Sequence, residues 1–394
     1  MTAFRDIPFG QPVPDSPHAV LCSLPRLADV IGYEERRPEV VAAMRSGYPR
    51  FLTNPLVARA QELAKKELRL ATGEVRLVQT ERLAVGLAKF AESASTPVSW
   101  RGAWAVAVPN QAGNLAKAKA FHQHVGAAIT SRQAEDILLA AGAEKSPFAE
   151  NSFSGDAIAK IRANLAEAYG LADPSGILLT GSGMTAFYEV FESVRAAQRP
   201  QGRRLWLQLG WQYVDTTEIL KKFLGADEHF QFWPDVYDTA GLTAFFEKHS
   251  AELAGVVAEF PTNPLLHAGD LPALHALCRK HGVVLIADPT LASPRVVNVL
   301  PHCDVAINSL TKFSGNEGDV MGGCVVFNPA SSWTRKLAGA VAASLAPHYP
   351  RDLARLAAQI DGYAPLIEKA TANAARLAQF LEKHPAVRSV HWSG

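Results

Sequence analysis

The sequence predicts an α/β fold whose central part is a mainly parallel, doubly wound sheet. Between residues 155 and 327, short apolar runs of strand length alternate with segments of helical spacing, and this alternation is typical of parallel sheets. Of the 394 residues, 48% are hydrophobic and 20% are charged, so the chain can bury a large core. Its length favours two or three domains.

Residues 1–146 are predicted to form an N-terminal arm followed by a helical segment. The first 45 residues are rich in proline and turns, which favours an extended arm. The pattern from 55 to about 91 has helical spacing, interrupted near Gly73, and predicts one or two helices. A strand at 104–108 and a helix at 114–125 are expected next.

Residues 147–330 are predicted to form the large domain that carries the sheet. Helices are expected at 155–169 and 184–197, on either side of a strand at 176–179. Further strands are predicted at 205–209, 255–259, 283–287, 305–308 and 323–327. Functional residues should follow these strands, because ligands of open α/β sheets bind at the carboxyl ends of the strands.

Residues 331–394 are predicted to begin a C-terminal domain. This segment is rich in Ala and Leu with helical spacing to about residue 383, and a short apolar piece follows at 387–392.

Composition argues against several classes of partner. The 39 basic and 38 acidic residues give a net charge of +1, so no chain-wide field attracts nucleic acid or an anionic membrane. The four cysteines are widely spaced and form no zinc or redox motif. With neither a leader pattern nor a long apolar run, the sequence predicts a cytoplasmic protein that acts on small molecules.

The loop after the strand at 176–179 is a candidate phosphate site. The run 180–185 reads T-G-S-G-M-T, and its glycines expose backbone N–H groups at a helix N-terminus. Gly181, Gly183 and Ala186 also fit the G-x-G-x-x-A dinucleotide pattern. Nicotinamide binding is the weaker alternative, because the strand at 205–209 lacks a following acidic residue for the ribose.

Two later loops carry residues suited to Schiff-base chemistry. Asp288 ends a strand and can pair with a protonated pyridine nitrogen, although such an aspartate is more often a cap or a turn residue. Most lysines lie at the surface, but Lys312 follows a buried-looking strand, where desolvation would lower the pKa of its amine. Ser309 and Thr311 flank it and can bind phosphate oxygens.

Tyr213 and Asn263 follow two other predicted strands. A tyrosine ring can stack on a planar cofactor, and an asparagine amide can donate to a phenolic oxygen. Packing and a turn are the simpler interpretations of these two residues.

Together these motifs resemble the Cys/Met-metabolism family of pyridoxal-phosphate (PLP) enzymes. The resemblance rests on Ser182-Gly183-Met184, the E-x-P-x-N-P run at 259–264, Asp288-x-Thr290 and Ser309-x-Thr311-Lys312. The runs at 47–51, 131–132, 213–216 and 309–315 are similar to the fungal-type cystathionine γ-synthases. The resemblance implies an aspartate-aminotransferase-like fold (fold type I) with PLP as cofactor and no metal.

The resemblance also implies roles for individual residues. Lys312 would hold PLP as a Schiff base, Asp288 would pair with the pyridine nitrogen, and Tyr213 would stack on the ring and assist proton transfer. Further cofactor contacts are implied for Ser182, Gly183, Met184, Asn263, Thr290, Ser309 and Thr311. A neighbouring subunit would add a tyrosine and an arginine to the phosphate, either Tyr48 with Arg50 or, alternatively, Arg132. A homodimer or homotetramer is therefore expected.

The implied activity joins an O-acyl-homoserine and cysteine to give cystathionine, a γ-replacement on the route to methionine. O-acylhomoserine sulfhydrylase and cystathionine or methionine γ-lyase are sister alternatives. The family normally continues through a larger C-terminal α/β lobe, so this lobe is expected to be short or truncated here. That expectation motivates an alternative of another class, a catalytically silent PLP-fold scaffold. A metal hydrolase built on His122-x-His124 is a remote alternative.

Overall fold

The computed structural model describes residues 6–70 and 73–392 and divides into two compact units. The first unit comprises Met1–Ser154, Glu317–Met321 and Ala346–Ala358. The second unit comprises Gly155–Asn316, Gly322–Leu345 and Gln359–Gly394. Both units are therefore assembled from segments that are distant in the sequence.

The first unit contains a three-stranded antiparallel sheet in the order β3-β5-β4 and a small two-stranded sheet, β1-β2. Its strands are β1 (Pro12–Val13), β2 (Leu21–Cys22), β3 (Glu74–Val78), β4 (Val98–Trp100) and β5 (Ala103–Val108). Its helices up to residue 154 are α1 (Leu27–Glu34), α2 (Pro38–Ala43), α3 (Pro55–Glu67), α4 (Glu81–Phe90), α5 (Ala112–Val125) and α6 (Ser131–Ala140).

The N-terminal part differs from the predicted extended arm. It forms β1, β2, α1 and α2, and local backbone bonds such as Gly10 N–H to the Ser23 carbonyl fold it back on itself. The segment predicted as one or two helices contains the strand β3 between α3 and α4. The β3 backbone pairs with β5, and its buried Val75 and Leu77 belong to a core cluster with residues of α3 and α6, so long-range contacts decide its conformation.

The second unit contains a seven-stranded sheet in the order β6-β12-β11-β10-β9-β7-β8. The strands are β6 (Ile177–Thr180), β7 (Leu205–Leu209), β8 (His229–Trp233), β9 (Leu253–Glu259), β10 (Val284–Asp288), β11 (Val305–Ser309) and β12 (Gly323–Phe327). In this sheet β12 runs antiparallel to both neighbours, and the other described pairings are parallel. The predicted mainly parallel α/β fold is confirmed.

Helices cover this sheet and build its core. They are α7 (Ala157–Tyr169), α8 (Gly183–Gln198), α9 (Val214–Lys222), α10 (Thr239–His249), α11 (Leu271–His281), α12 (Ser332–Ser344) and α14 (Tyr363–Glu382). One core cluster joins α8, α9 and α12 to the sheet, and within it the rings of Phe191 and Trp206 lie 4.8 Å apart. Such burial of aromatic area is the main force that holds α8 in place.

The remaining helix, α13 (Pro350–Gln359), lies after α12 in the sequence. Short 3₁₀ turns occupy Pro174–Gly176, Arg199–Gln201, Leu300–His302 and Ile360–Gly362. From residue 332 to 392, the regular structure is helical, and the apolar piece at 387–392 forms no strand. Within the described ranges, none of the helices has the length and apolarity needed to cross a bilayer.

Candidate active site

The predicted functional loops meet at one edge of the seven-stranded sheet. The strands β9 and β10 end in register at Glu259 and Asp288. The strand β11 ends at Ser309, which is paired with Gly323 of β12, and Gly323 is paired with Thr180 at the end of β6. The loops converge because parallel strands share one carboxyl edge.

The first turn of α8 forms a tightly packed cradle at this edge. Ser182 is the N-cap residue, and its Oγ accepts a hydrogen bond from the Thr185 N–H at 3.1 Å. A Cβ on Gly183 would lie 2.9 Å from the Ser309 Cβ, and a Cβ on Gly323 would lie 2.2 Å from the Ser182 carbonyl oxygen. Glycine at both positions therefore brings the loop onto β11 and β12, where the helix N-terminus favours a phosphate.

Two of the predicted phosphate contacts also hold the site together. Met184 is buried, and its Sδ accepts from the Thr216 hydroxyl at 3.9 Å. The Thr311 Oγ1 accepts from the Gly322 N–H at 3.1 Å and lies 3.3 Å from the Gly322 carbonyl oxygen. The Thr311 hydroxyl thus fixes the lysine loop to the start of β12, and its contact with phosphate stays a prediction.

Asp288 is fixed by the loop that follows it. The Thr290 N–H donates to Asp288 Oδ1 at 2.9 Å, and Thr290 Oγ1 accepts from the Ser309 N–H at 2.9 Å. Thr290 therefore links the ends of β10 and β11. Burial raises the pKa of Asp288, whereas the hydrogen bonds from Thr290 and the charge of Lys312 favour its ionised form. A carboxylate in these surroundings suits a cationic partner such as a pyridinium nitrogen.

Lys312 lies in the turn after β11 and is exposed. It is close enough to Asp288 for its charge to act on that carboxyl group. The sequence predicted that this amine would be shielded from water, but the described residues of this chain leave Lys312 exposed. An exposed amine beside a buried carboxylate remains well placed to react with an aldehyde.

The loops of Tyr213 and Asn263 are joined through Glu259. Tyr213 is half-buried at the start of α9, and its backbone N–H donates to Glu259 Oε2 at 2.6 Å. The Asn263 side chain also bonds Glu259, and its backbone N–H donates to the Trp211 carbonyl at 3.2 Å. Glu259 is absent from the residues predicted individually, although it opens the E-x-P-x-N-P run and ends a strand.

Glu259 and Asp288 form a pair of carboxyl groups at adjacent strand ends. Burial and the nearby charge of Asp288 raise the pKa of Glu259 to about 8, against the opposing effect of the bonds from Tyr213 and Asn263. Two carboxylates in a desolvated site do not both ionise readily. Since Lys312 and Thr290 favour ionised Asp288, Glu259 is the member that keeps a proton near neutral pH.

The residues predicted to serve a neighbouring subunit lie in the first unit. The Arg50 guanidinium lies 5.0 Å from the centre of the Tyr48 ring. Arg132 is only 1% exposed and donates to Glu150 and Asp352 at 2.6 and 2.9 Å. These carboxylates neutralise Arg132 inside its own unit, whereas Arg50, which is also buried, donates to the Gln123 carbonyl. We therefore rank Tyr48 with Arg50 above Arg132, and both assignments stay predictions.

The residues present fit PLP. A helix N-terminus packed through Gly183 and Gly323 suits the phosphate, the buried carboxyl group of Asp288 suits the pyridine nitrogen, and the exposed amine of Lys312 suits the aldehyde. All three features lie on loops from one edge of a mainly parallel sheet. Fold and site therefore define a PLP-dependent enzyme.

The chain belongs to the Cys/Met metabolism PLP-dependent enzyme family, which matches residues 162–394. It is 38% identical over 383 residues to the L-2-amino-4-chloropent-4-enoate dechlorinase/desaturase of Streptantibioticus cattleyicolor, covering 97% of this chain and 76% of that protein. It is 30% identical over 219 residues to the cystathionine γ-synthase of Neurospora crassa, covering 55% of this chain and 35% of that protein. The predicted family and the cofactor, PLP, are confirmed.

Among solved structures, the cystathionine γ-lyase of Lactobacillus plantarum complexed with L-serine is 23% identical, with a TM-score of 0.48. The match covers 62% of this chain and 63% of that chain. The present chain thus spans less than two thirds of that structure's length.

Proposed function

We propose that this chain catalyses the PLP-dependent loss of a leaving group from the γ carbon of an L-amino acid. The observation that carries the proposal is the 38% identity, over 97% of the chain, to an enzyme named for removing chlorine from L-2-amino-4-chloropent-4-enoate. In that compound the chlorine is on C4, which is the γ carbon of the amino acid. The similarity to a cystathionine γ-synthase supports the same position of bond cleavage.

Two outcomes of this chemistry are candidates. In γ-elimination the leaving group departs and an unsaturated amino acid or its hydrolysis product is released, as the name dechlorinase/desaturase suggests for the relative. In γ-replacement cysteine adds to the γ carbon, so that an O-acyl-homoserine gives cystathionine. The similarity to cystathionine γ-synthase is the observation that supports this second candidate.

Lys312 is the residue proposed to move protons. When bound, PLP supplies an electron sink for the negative charge that develops at the substrate's Cα. The Lys312 amine would hold the cofactor through its aldehyde and would be released once the substrate is bound. The released amine would then remove a proton from Cα and a proton from Cβ, because both carbons must lose a proton before the γ substituent departs.

The other residues bind and orient. Asp288 holds the pyridine nitrogen in its protonated form, and the Tyr213 ring stacks on the cofactor with its hydroxyl assisting proton transfer. Asn263 donates to the phenolic oxygen. The remaining proposed contacts, to the phosphate and its surroundings, are Ser182, Gly183, Met184, Thr290, Ser309 and Thr311. Tyr48 and Arg50 of a second copy complete the phosphate site in a homodimer or homotetramer.

Product analysis tests the proposal. Purified, PLP-loaded protein is incubated with L-2-amino-4-chloropent-4-enoate, and separately with O-acetyl- or O-succinyl-homoserine with and without cysteine. Release of chloride or of the acyl group that disappears in Lys312→Ala supports cleavage at the γ carbon. Cystathionine that forms only with cysteine assigns γ-replacement, and product formation without a thiol assigns γ-elimination. PLP-loaded protein that leaves every γ substituent intact would refute the proposal.

A further inference from the structure

One buried carboxyl group connects three parts of the site. Glu259 is 6% exposed and ends β9 beside Asp288, with which it is paired in register. Its Oε2 accepts from the Tyr213 N–H at 2.6 Å, and its side chain also bonds Asn263. Glu259 thus contacts the backbone of Tyr213, the residue proposed to stack on the cofactor, and the side chain of Asn263, the residue proposed to donate to the phenolic oxygen.

We propose that Glu259 is a positioning residue that holds Tyr213 and Asn263 against the cofactor ring and, by keeping its own proton, leaves Asp288 as the charged partner of the pyridine nitrogen. This inference deepens the proposed function and rests on its assignment of Tyr213, Asn263 and Asp288.

The geometry explains why Glu259 acts on both neighbours at once. Paired residues on adjacent parallel strands point to the same face and lie about 4.8 Å apart. Glu259 and Asp288 are therefore close enough for the charge of one to oppose ionisation of the other, which is also the direction in which the pKa of Glu259 moves. A neutral Glu259 can still accept the Tyr213 N–H through an oxygen lone pair.

The remaining charged groups near Glu259 lie on other elements. The charge of Lys312, in the turn after β11, acts on Asp288. A cavity of about 260 Å³ borders Glu259 and is also lined by His267, Asp270 and, from α11, Lys280. The group whose charge acts on Glu259 is Asp288, so the two carboxyl groups are the pair to perturb.

A simpler role would be purely structural, with Glu259 acting only as an acceptor at the start of α9. Two substitutions separate the roles. Glu259→Gln keeps an acceptor for the Tyr213 N–H but cannot titrate, whereas Glu259→Ala removes the acceptor as well. Glu247→Gln on the exposed side of α10 is the matched control, because it makes the same chemical change away from the site.

The test compares PLP affinity and the pH dependence of the visible absorption band of the PLP-loaded protein. We expect Glu259→Ala to bind PLP at least about tenfold more weakly, because it removes the buried hydrogen bonds to the Tyr213 N–H and the Asn263 side chain and each is worth about 1 kcal/mol. Glu259→Gln should keep its affinity within about twofold at neutral pH, where Glu259 is neutral, and should shift the pH profile of the band. Glu247→Gln should match the wild type in both.

Wild-type affinity in Glu259→Ala, or a wild-type pH profile in Glu259→Gln, would overturn the inference. If Glu259→Ala fails to fold, the pH profile of Glu259→Gln alone decides. Failure of the proposed function is distinguishable, because then the wild type itself would lack a Lys312-dependent band or would leave γ substituents intact.

Discussion

The cradle at the start of α8 should be intolerant of a single methyl group at Gly323. A Cβ there would lie 2.2 Å from the Ser182 carbonyl oxygen, 2.3 Å from its carbonyl carbon and 2.6 Å from the Gly183 nitrogen. These are backbone atoms in a loop capped by Ser182, so no side chain can rotate away. The backbone must move by about 1 Å to restore contact distances near 3.5 Å.

Overpacking of this kind usually costs about 1–3 kcal/mol, and rigid backbone places Gly323→Ala at the upper end. We therefore expect a loss of about 3 kcal/mol in the free energy of unfolding of the cofactor-free protein, measured by urea titration. PLP affinity should fall as well, because the displaced peptides include the N–H groups proposed to face the phosphate.

Gly339→Ala on α12 is the matched control, since a Cβ there meets nothing within 4 Å. In a helix this change should be neutral or stabilise by up to about 1 kcal/mol. If the free energy of unfolding of Gly323→Ala lies within about 0.5 kcal/mol of the wild-type value and PLP binds equally well, the cradle is not tightly packed.

Three further perturbations test the charged groups. Asp288→Asn should weaken PLP binding roughly tenfold to a hundredfold in an absorbance titration, since a charge-assisted bond is worth about 1.5–3 kcal/mol, and unchanged affinity would contradict its pairing with the pyridine nitrogen. Arg132→Met should destabilise the protein by about 3–5 kcal/mol in urea, because it removes the cation paired with Asp352 and leaves Glu150 only the longer ion pairs to Arg351 and Arg355. Weaker PLP binding at unchanged stability would instead favour the phosphate role. Because the folded pKa of Glu259, about 8, exceeds its unfolded value, the wild type loses stability as pH rises from about 4.5 to 8. Glu259→Gln should therefore gain stability relative to the wild type across that window, and a constant difference in urea midpoint would refute the shift.

Strands that are buried on both faces were the parts of the fold that the sequence predicted best. The strands β7 and β12 have five buried residues each and match the predicted bounds, because a short continuous apolar run between turn residues is typical of a fully buried strand. The strand β8 was not predicted, because it lies at the sheet edge and its exposed or half-buried residues do not form a continuous apolar run. The strand β3 was not predicted because it lies between two helices, and both its pairing with β5 and the packing of its side chains with α3 and α6 are long-range contacts.

The same distinction between local and long-range signals applies to the site. Glycine, aspartate and lysine loops were predicted because each follows a strand of its own. The partners of Arg132 could not be predicted, since Asp319 and Asp352 lie far from it in sequence and only folding of the first unit assembles them. The position of Glu259 beside Asp288 likewise depends on the register of β9 on β10, which no local pattern specifies.

The register of β9 on β10 places Glu259 beside Asp288, in a cofactor site that needs one negative charge. A pyridinium nitrogen requires a single anion, and a second buried carboxylate would add repulsion without a second cation to offset it. Lys312 and Thr290 stabilise the charge on Asp288, while Glu259 meets mainly neutral donors, the Tyr213 N–H and the Asn263 amide. The proton therefore resides on Glu259, which holds other residues in place. The negative charge resides on Asp288, which is proposed to pair with the cofactor. Glutamine at this position keeps an acceptor for the Tyr213 N–H and cannot ionise, so Glu259→Gln separates the hydrogen bond from the charge.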